Sequence, residues 1–129
     1  MHVWAGADTS VVPFLTGAGY AIARYFTDLH RDLSQPIEPL DDGDLTIVPF
    51  TPDLVEAGRI ARNDAFRDHW GSQPTTPERW GRFVGRDILR PDLSAVAVEG
   101  DRIVGFCMAE HDPDDAAVAG FSSVYVALV

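Results

Sequence analysis

A chain of 129 residues, 46% of them apolar, suits a single domain with enough apolar material for a core. Its net charge of −10 excludes nucleic acid and anionic membrane surfaces as partners, because both need clustered positive charge. No apolar run approaches the roughly 20 residues that span a bilayer, and the opening Met1-His2-Val3-Trp4 has no basic region before a long apolar core, so no signal peptide is predicted.

One cysteine, Cys107, excludes an internal disulfide and reads as a structural thiol in a reducing, cytoplasmic setting. All the basic residues are arginine, and alanine, valine and aspartate are frequent. This coding bias suggests a bacterial source.

In chain order, residues 2–5 are a short strand candidate. Asp8-Thr9-Ser10 offers N-cap chemistry for a helix over residues 9–16, whose regularity Pro13 limits. Gly17-Ala18-Gly19 ends it. Residues 20–33 carry Ile22, Tyr25, Phe26 and Leu29 between polar residues and are read as a strand. Residues 34–43 hold two prolines and an acidic cluster, the composition of a linker.

Residues 45–50 then predict a strand. Thr51 as N-cap and Pro52 at the first helical position open a helix with Leu54, Ala57, Ile60, Ala61, Ala65 and Phe66 near a 3.6-residue period, ending at Asp68-His69-Trp70-Gly71. Thr76-Pro77-Glu78 opens a second helix, with Trp80, Phe83, Val84 and Ile88 on its apolar stripe.

Residues 95–106, AVAVEGDRIVGF, read as two strands joined at Glu99-Gly100-Asp101-Arg102, with glycine and aspartate supplying positive φ. Glu110, His111, Asp112, Asp114 and Asp115, interrupted by Pro113, read as a solvated acidic loop with no metal site. Residues 121–129 form a last strand, whose alternation puts Ser123, Tyr125, Ala127 and Val129 on one face. Trp4, Trp80 and Phe106 read as core residues.

From residue 44 onward, this order of strand, two helices, hairpin and strand resembles the first half of a GNAT (Gcn5-related) N-acetyltransferase domain. The runs NDAFRDHWG and TTPERW look like the second repeat of the tandem GNAT proteins that include mycothiol synthase. Ala7-Asp8, Leu15 and Gly19-Tyr20 resemble the family's D-N…Y…G-F segment near the end of a domain. The resemblance therefore implies an α/β (α+β) fold with a mixed, mainly antiparallel sheet and flanking helices, incomplete in this chain. Residues 1–33 would be the tail of an upstream repeat, 34–43 a linker, and 44–129 the N-terminal half of a second domain. Asp8 stands where the family often has asparagine, and Leu15 where many members place a tyrosine that protonates the leaving thiolate. Leucine donates no proton, so an inactive upstream site is expected.

The resemblance further implies acetyl transfer from acetyl-CoA to a primary amine of a small molecule. Backbone groups of Ala127, Leu128 and Val129 would pair with the pantetheine arm, as a peptide adds to a sheet edge. Ser123 occupies the position of a glutamate in mycothiol synthase-like members, and Tyr125 would line the acceptor side; these two are the catalytic candidates. Asp68, His69 and Trp70 stand where the family shapes its acceptor pocket. The pyrophosphate would lie on a helix N-terminus within an R/Q-x-x-G-x-G/A loop. No such run occurs in the 129 residues. Losing three or four hydrogen bonds to a charged group removes on the order of 5 kcal/mol, over a thousand-fold in affinity. Weak acetyl-CoA binding and little turnover are expected of the isolated chain.

Two other readings start from the last strand. Its open edge would suit a non-catalytic interaction module, forming a homodimer or recruiting a complementing chain. Alternatively, residues 1–33 would fold back and complete a permuted sheet.

Overall fold

A computed structural model of the chain describes residues 3–39 and 43–129. It divides after Pro39 into two compact units.

The first unit holds one short helix, α1 (Val11–Gly17). Pro13 falls in its first turn, where the missing N–H would have no intrahelical partner anyway. None of Asp8, Thr9 and Ser10 caps it as expected. The Thr9 hydroxyl instead donates to the Gly6 carbonyl at 2.7 Å, and the Ser10 side chain makes no cap bond. The helix ends in a Schellman arrangement. The Tyr20 N–H reaches the Leu15 carbonyl and the Gly19 N–H the Thr16 carbonyl, both at 3.0 Å, with Gly19 left-handed at φ 90°.

The strands expected at residues 2–5 and 20–33 are not formed; His2 lies outside the described residues, and 3–5 and 20–33 have no ladder. Ile22, Tyr25, Phe26, Leu29 and Leu33 recur every three or four residues, without the period-2 alternation a half-buried strand needs. Trp4 is not a core residue either. It is 72% exposed, with its ring 4.6 Å from that of Phe26. No described residue of this unit is buried.

The second unit is mixed α/β, built on a four-stranded antiparallel sheet in the order β1 (Thr46–Pro49), β2 (Ala95–Glu99), β3 (Arg102–Glu110), β4 (Tyr125–Leu128). All four strands come from this unit, and no strand is assigned within residues 3–33. Between β1 and β2 run α2 (Val55–Ala65) and α3 (Pro77–Val84).

Thr51 does not accept a cap bond; Pro52–Leu54 form a 3₁₀ turn that leads into α2. The helix stops at Ala65, before Asp68. In α3, Thr76 accepts from the Arg79 N–H, and Pro77 holds the first position. Ile88 falls beyond the end of this helix, so the apolar stripe is Trp80, Phe83 and Val84.

The β2–β3 turn is tighter in its demands than expected. Within the turn Gly100 has positive φ (59°), but Asp101, expected to share it, does not. That is the pattern of a type II′ hairpin, which needs glycine only at its first central position.

Residues 111–115 are not a loop. Asp112 accepts from the Asp114 N–H at 2.9 Å, Pro113 takes the first position, and α4 (Pro113–Ala119) ends at left-handed Gly120. Asp114 and Asp115 in the first turn complement the helix dipole. This capping pattern is complete in the sequence DPDDAAVAG and explains the acidic cluster without a ligand.

The ladder is broken twice. Ala97 pairs with Gly105 but Val98 with Ile103, leaving Val104 unpaired. This bulge lets Ile103, Phe106 and Met108 all face the core, which strict alternation forbids. Met108 pairs with Leu128 but Ala109 with Val126, leaving Ala127 unpaired in β4.

The core is Phe50, Trp80, Leu89, Val96, Ile103 and Met108, covered by residues of α2, α3 and the sheet. Trp80, 4% exposed, donates its indole N–H to the Val55 carbonyl at 2.7 Å and so ties the middle of α3 to the start of α2. Gly58 makes the close approach possible: a Cβ there would lie 3.1 Å from Phe50 Cε2 and 3.6 Å from Trp80 Cζ2.

Among the described residues no helix is long and apolar enough to cross a membrane. Trp80→Phe should lower stability by roughly 1–3 kcal/mol, from one lost hydrogen bond and a small void. Trp80→Ala should cost roughly 3–5 kcal/mol, a large share of a small domain's stability. Urea unfolding of the two variants against the parent chain measures the difference.

Candidate functional site

The 66–76 connection, which joins α2 to α3, is held by side chains of α2. Asn63 makes a two-point clamp: its Nδ2 donates to the Thr75 carbonyl at 3.0 Å, and its Oδ1 accepts from the Thr75 N–H at 2.8 Å. Arg59 Nη1 adds a bond to the same carbonyl at 3.1 Å, while its Nε and Nη2 grip Glu56. Arg62 donates to the Gln73 carbonyl at 2.8 Å and the Ser72 hydroxyl at 3.1 Å. Gly71, at φ 74°, supplies the left-handed step that turns the chain back to α2.

A shallow cleft of about 270 Å³ opens beside this clamp, lined by Arg62, the stretch from Gly71 to Thr75 except Pro74, and Arg79, Trp80, Phe83 and Leu128. Asp68, His69 and Trp70 lie just before it, in the turns that follow α2, and are not part of its lining. His69 stacks obliquely on Phe66, with centroids 5.1 Å apart. The family resemblance pointed to the Asp68–Trp70 end of this connection, whereas the cleft is lined by its other end. The signal for that other end is Gly71 together with Asn63 in the last turn of α2.

The remaining candidates sit at the open β4 edge. Ser123 precedes the strand, and its carbonyl accepts a bond from His111 Nδ1 at 2.8 Å. A carbonyl only accepts, so Nδ1 carries the proton, and a neutral ring leaves Nε2 as a proton acceptor. Tyr125 pairs with Glu110 and is 65% exposed. Ala127 is the unpaired residue, Leu128 reaches the core and the cleft, and Val129 is 81% exposed beyond the strand. Ser123, Tyr125, Ala127 and Val129 therefore do not share one strand face: Ser123 and Val129 fall outside the ladder, and the bulge breaks its phase.

Buried polar groups beside this edge are structural. Glu110 is held by Arg86 at 2.6 Å, and the buried Ser94 hydroxyl donates to the Arg90 carbonyl and accepts from the Ala109 N–H. Trp80 and Phe83 stack with centroids 5.2 Å apart, forming the aromatic wall of the cleft. Cys107 lies half-buried on β3, without a disulfide partner. Among the described residues no group of three or more His, Cys, Asp or Glu side chains could hold a metal ion.

No protein-family model matches this chain, and no curated protein matches it.

Charge pairing in the clamp has a pH signature. The Arg59 hydrogen bond holds the Glu56 carboxyl below its ordinary value of 4.5. A carboxylate with a depressed folded pKa contributes fully above 4.5 and loses its contribution as pH falls through the lower folded value. Glu56→Gln should therefore lower stability slightly at neutral pH, flatten the acid limb of the stability curve, and converge with the parent chain at the acid end. Urea midpoints taken from neutral pH down into the acid range test this; parallel acid limbs for the two proteins would reject it.

Proposed function

We propose that the second unit is the amine-side half of a GNAT-type N-acetyltransferase domain. Its parent reaction would be acetyl transfer from acetyl-CoA to a primary amine of a small molecule. The observation that carries this reading is the β4 edge. An edge strand in which Ala127 is bulged out of the ladder and Val129 lies beyond it, on either side of paired Leu128, offers its outer backbone where the pantetheine arm is expected. The strand order, with two helices between β1 and β2 and a tight hairpin between β2 and β3, is compatible with it.

In this reaction the amine nitrogen attacks the thioester carbonyl, and the tetrahedral intermediate expels the CoA thiolate. The amine proton leaves to a base. Holding the two reactants together supplies up to roughly 7–11 kcal/mol of the barrier in ideal cases. A positioned base typically adds roughly 10²–10⁴-fold. Ser123 is not basic at neutral pH, so its role is contact or relay. Tyr125 is exposed at the start of β4, where on this reading the acceptor would lie. The His111 ring is bonded through Nδ1 to the Ser123 carbonyl, which leaves Nε2 of the neutral ring as a proton acceptor on this side of the strand.

Acetyl-CoA binding to this stretch of chain should be weak, because it contains no R/Q-x-x-G-x-G/A run for the pyrophosphate. Calorimetric titration with acetyl-CoA should give no more than millimolar affinity. Micromolar binding would overturn the phosphate-loop argument. Equal affinity for CoA and for a nucleotide without pantetheine would reject the role of β4.

The same edge supports a second reading, an interaction module. Tyr125, Val126 and Val129 are all exposed along it. By contrast, β1 at the opposite edge carries Pro49, which cannot donate to an added strand. Edge-to-edge pairing predicts a concentration-dependent dimer in light scattering, abolished by Val126→Lys. A strictly monomeric chain would count against it.

A further inference from the structure

In a chain of net charge −10, cations without a carboxylate partner are informative. Arg59, Arg67, Arg86 and Arg90 are each paired with an acid. Among the described residues Arg31, Arg62, Arg79, Arg82 and Arg102 make no such pair, and of these five Arg62 and Arg79 line a cleft. These two come from α2 and α3, and both line the cleft beside the Asn63–Thr75 clamp. Neither has a carboxylate within ion-pair distance among the described residues.

Arg62 is half-buried, and its guanidinium donates only to neutral acceptors: the Gln73 carbonyl, the Ser72 hydroxyl and, at 3.3 Å, Asn63 Oδ1. The ring of Phe66 lies under it at 4.8 Å. This scaffold fixes the fork of donors in place. Burial and the neighbouring Arg79 charge both push its pKa below the usual value. Two guanidinium groups close enough to repel one another, one of them partly desolvated, are an unfavourable arrangement that a shared oxyanion relieves. The other wall of the cleft is apolar: Trp80, Phe83 and Leu128.

We propose that this cleft binds the carboxylate or phosphate group of a small, partly apolar molecule, with Arg62 and Arg79 sharing the oxyanion. About 270 Å³ admits a small ligand only. The overall negative charge repels polyanions, so the occupant is a small molecule and not a nucleic-acid strand. Guanidinium forks match the oxygen geometry of both anions, so the two sources are separated by experiment. The anion-binding groups come from α2 and α3, and β4 adds only Leu128 to the lining, so failure to bind acetyl-CoA is read separately from failure to bind a small anion.

Calorimetric titrations of the full chain with inorganic phosphate and with benzoate, against chloride at matched ionic strength, test the proposal. Saturable binding of one or both is expected, weakening as salt rises. Phosphate binding alone identifies a phosphoryl group, and benzoate binding alone a carboxylate. Arg79→Gln, an exposed position with no part in the clamp, should weaken binding about ten-fold or more, as should Arg62→Gln. Arg82→Gln, on α3 but outside the cleft, should bind like the parent chain. No saturation by either anion in the millimolar range overturns the proposal, as does an Arg79→Gln chain that binds as tightly as the parent.

Discussion

The indole of Trp80 holds the second unit together. Its N–H satisfies a carbonyl on the first turn of α2, and its ring system fills the space that Gly58 leaves open beside Phe50. One residue thereby fixes the approach of α3 to α2, the depth to which both sink onto the sheet, and the aromatic wall of the cleft. Glycine in a helix interior costs about 1 kcal/mol relative to alanine. Its presence at position 58 is explained by the ring that would otherwise be displaced. Once the two helices are set, the Asn63–Thr75 clamp and the arginines of α2 have only one place to draw the intervening chain.

The sheet side is organised around β3. It pairs with β2 and β4, and its last residues also carry the segment before β2. The Arg90 N–H donates to the Ala109 carbonyl, the His111 N–H to the Ile88 carbonyl, and Ser94 bridges both sides from a buried position. Among the described residues no buried side-chain polar atom lacks a partner. Polar satisfaction therefore extends through the connections as well as the ladder, and it accounts for buried Ser94 and Glu110, two residues an apolar pattern would place outside.

Much of this second unit is legible in the residues themselves. Strand β1, both helices and the hairpin carry strong local signals: Thr-Pro starts, a 3.6-residue stripe, and a glycine turn between β-branched runs. Three things were not legible. Helix α4 was hidden because its acidic first turn reads as a charge cluster unless Asp112, Pro113 and Gly120 are taken together. The two bulges leave no compositional trace, so the face of Ser123 and its neighbours followed a period that the chain does not keep. The first unit misleads for a different reason. Its apolar residues are numerous, yet among its described residues none is buried, and apolar content alone does not produce a strand without a partner to pair with. Of the cleft, the start signals of α2 and α3 were legible, while the arginine pair becomes visible only when the two helices are brought side by side.

The bulge at Ala127 has one more consequence. Val126 and Leu128 already point to opposite faces of the sheet, with Ala127 standing between them outside the pairing. A chain lacking Ala127 would place the same two side chains on the same two faces in an unbroken ladder. The core does not require the residue; only the contour of the outer strand does. Edge shape and core stability are thus encoded in separate residues, and evolution can recut this rim by single insertions and deletions without disturbing the fold beneath it.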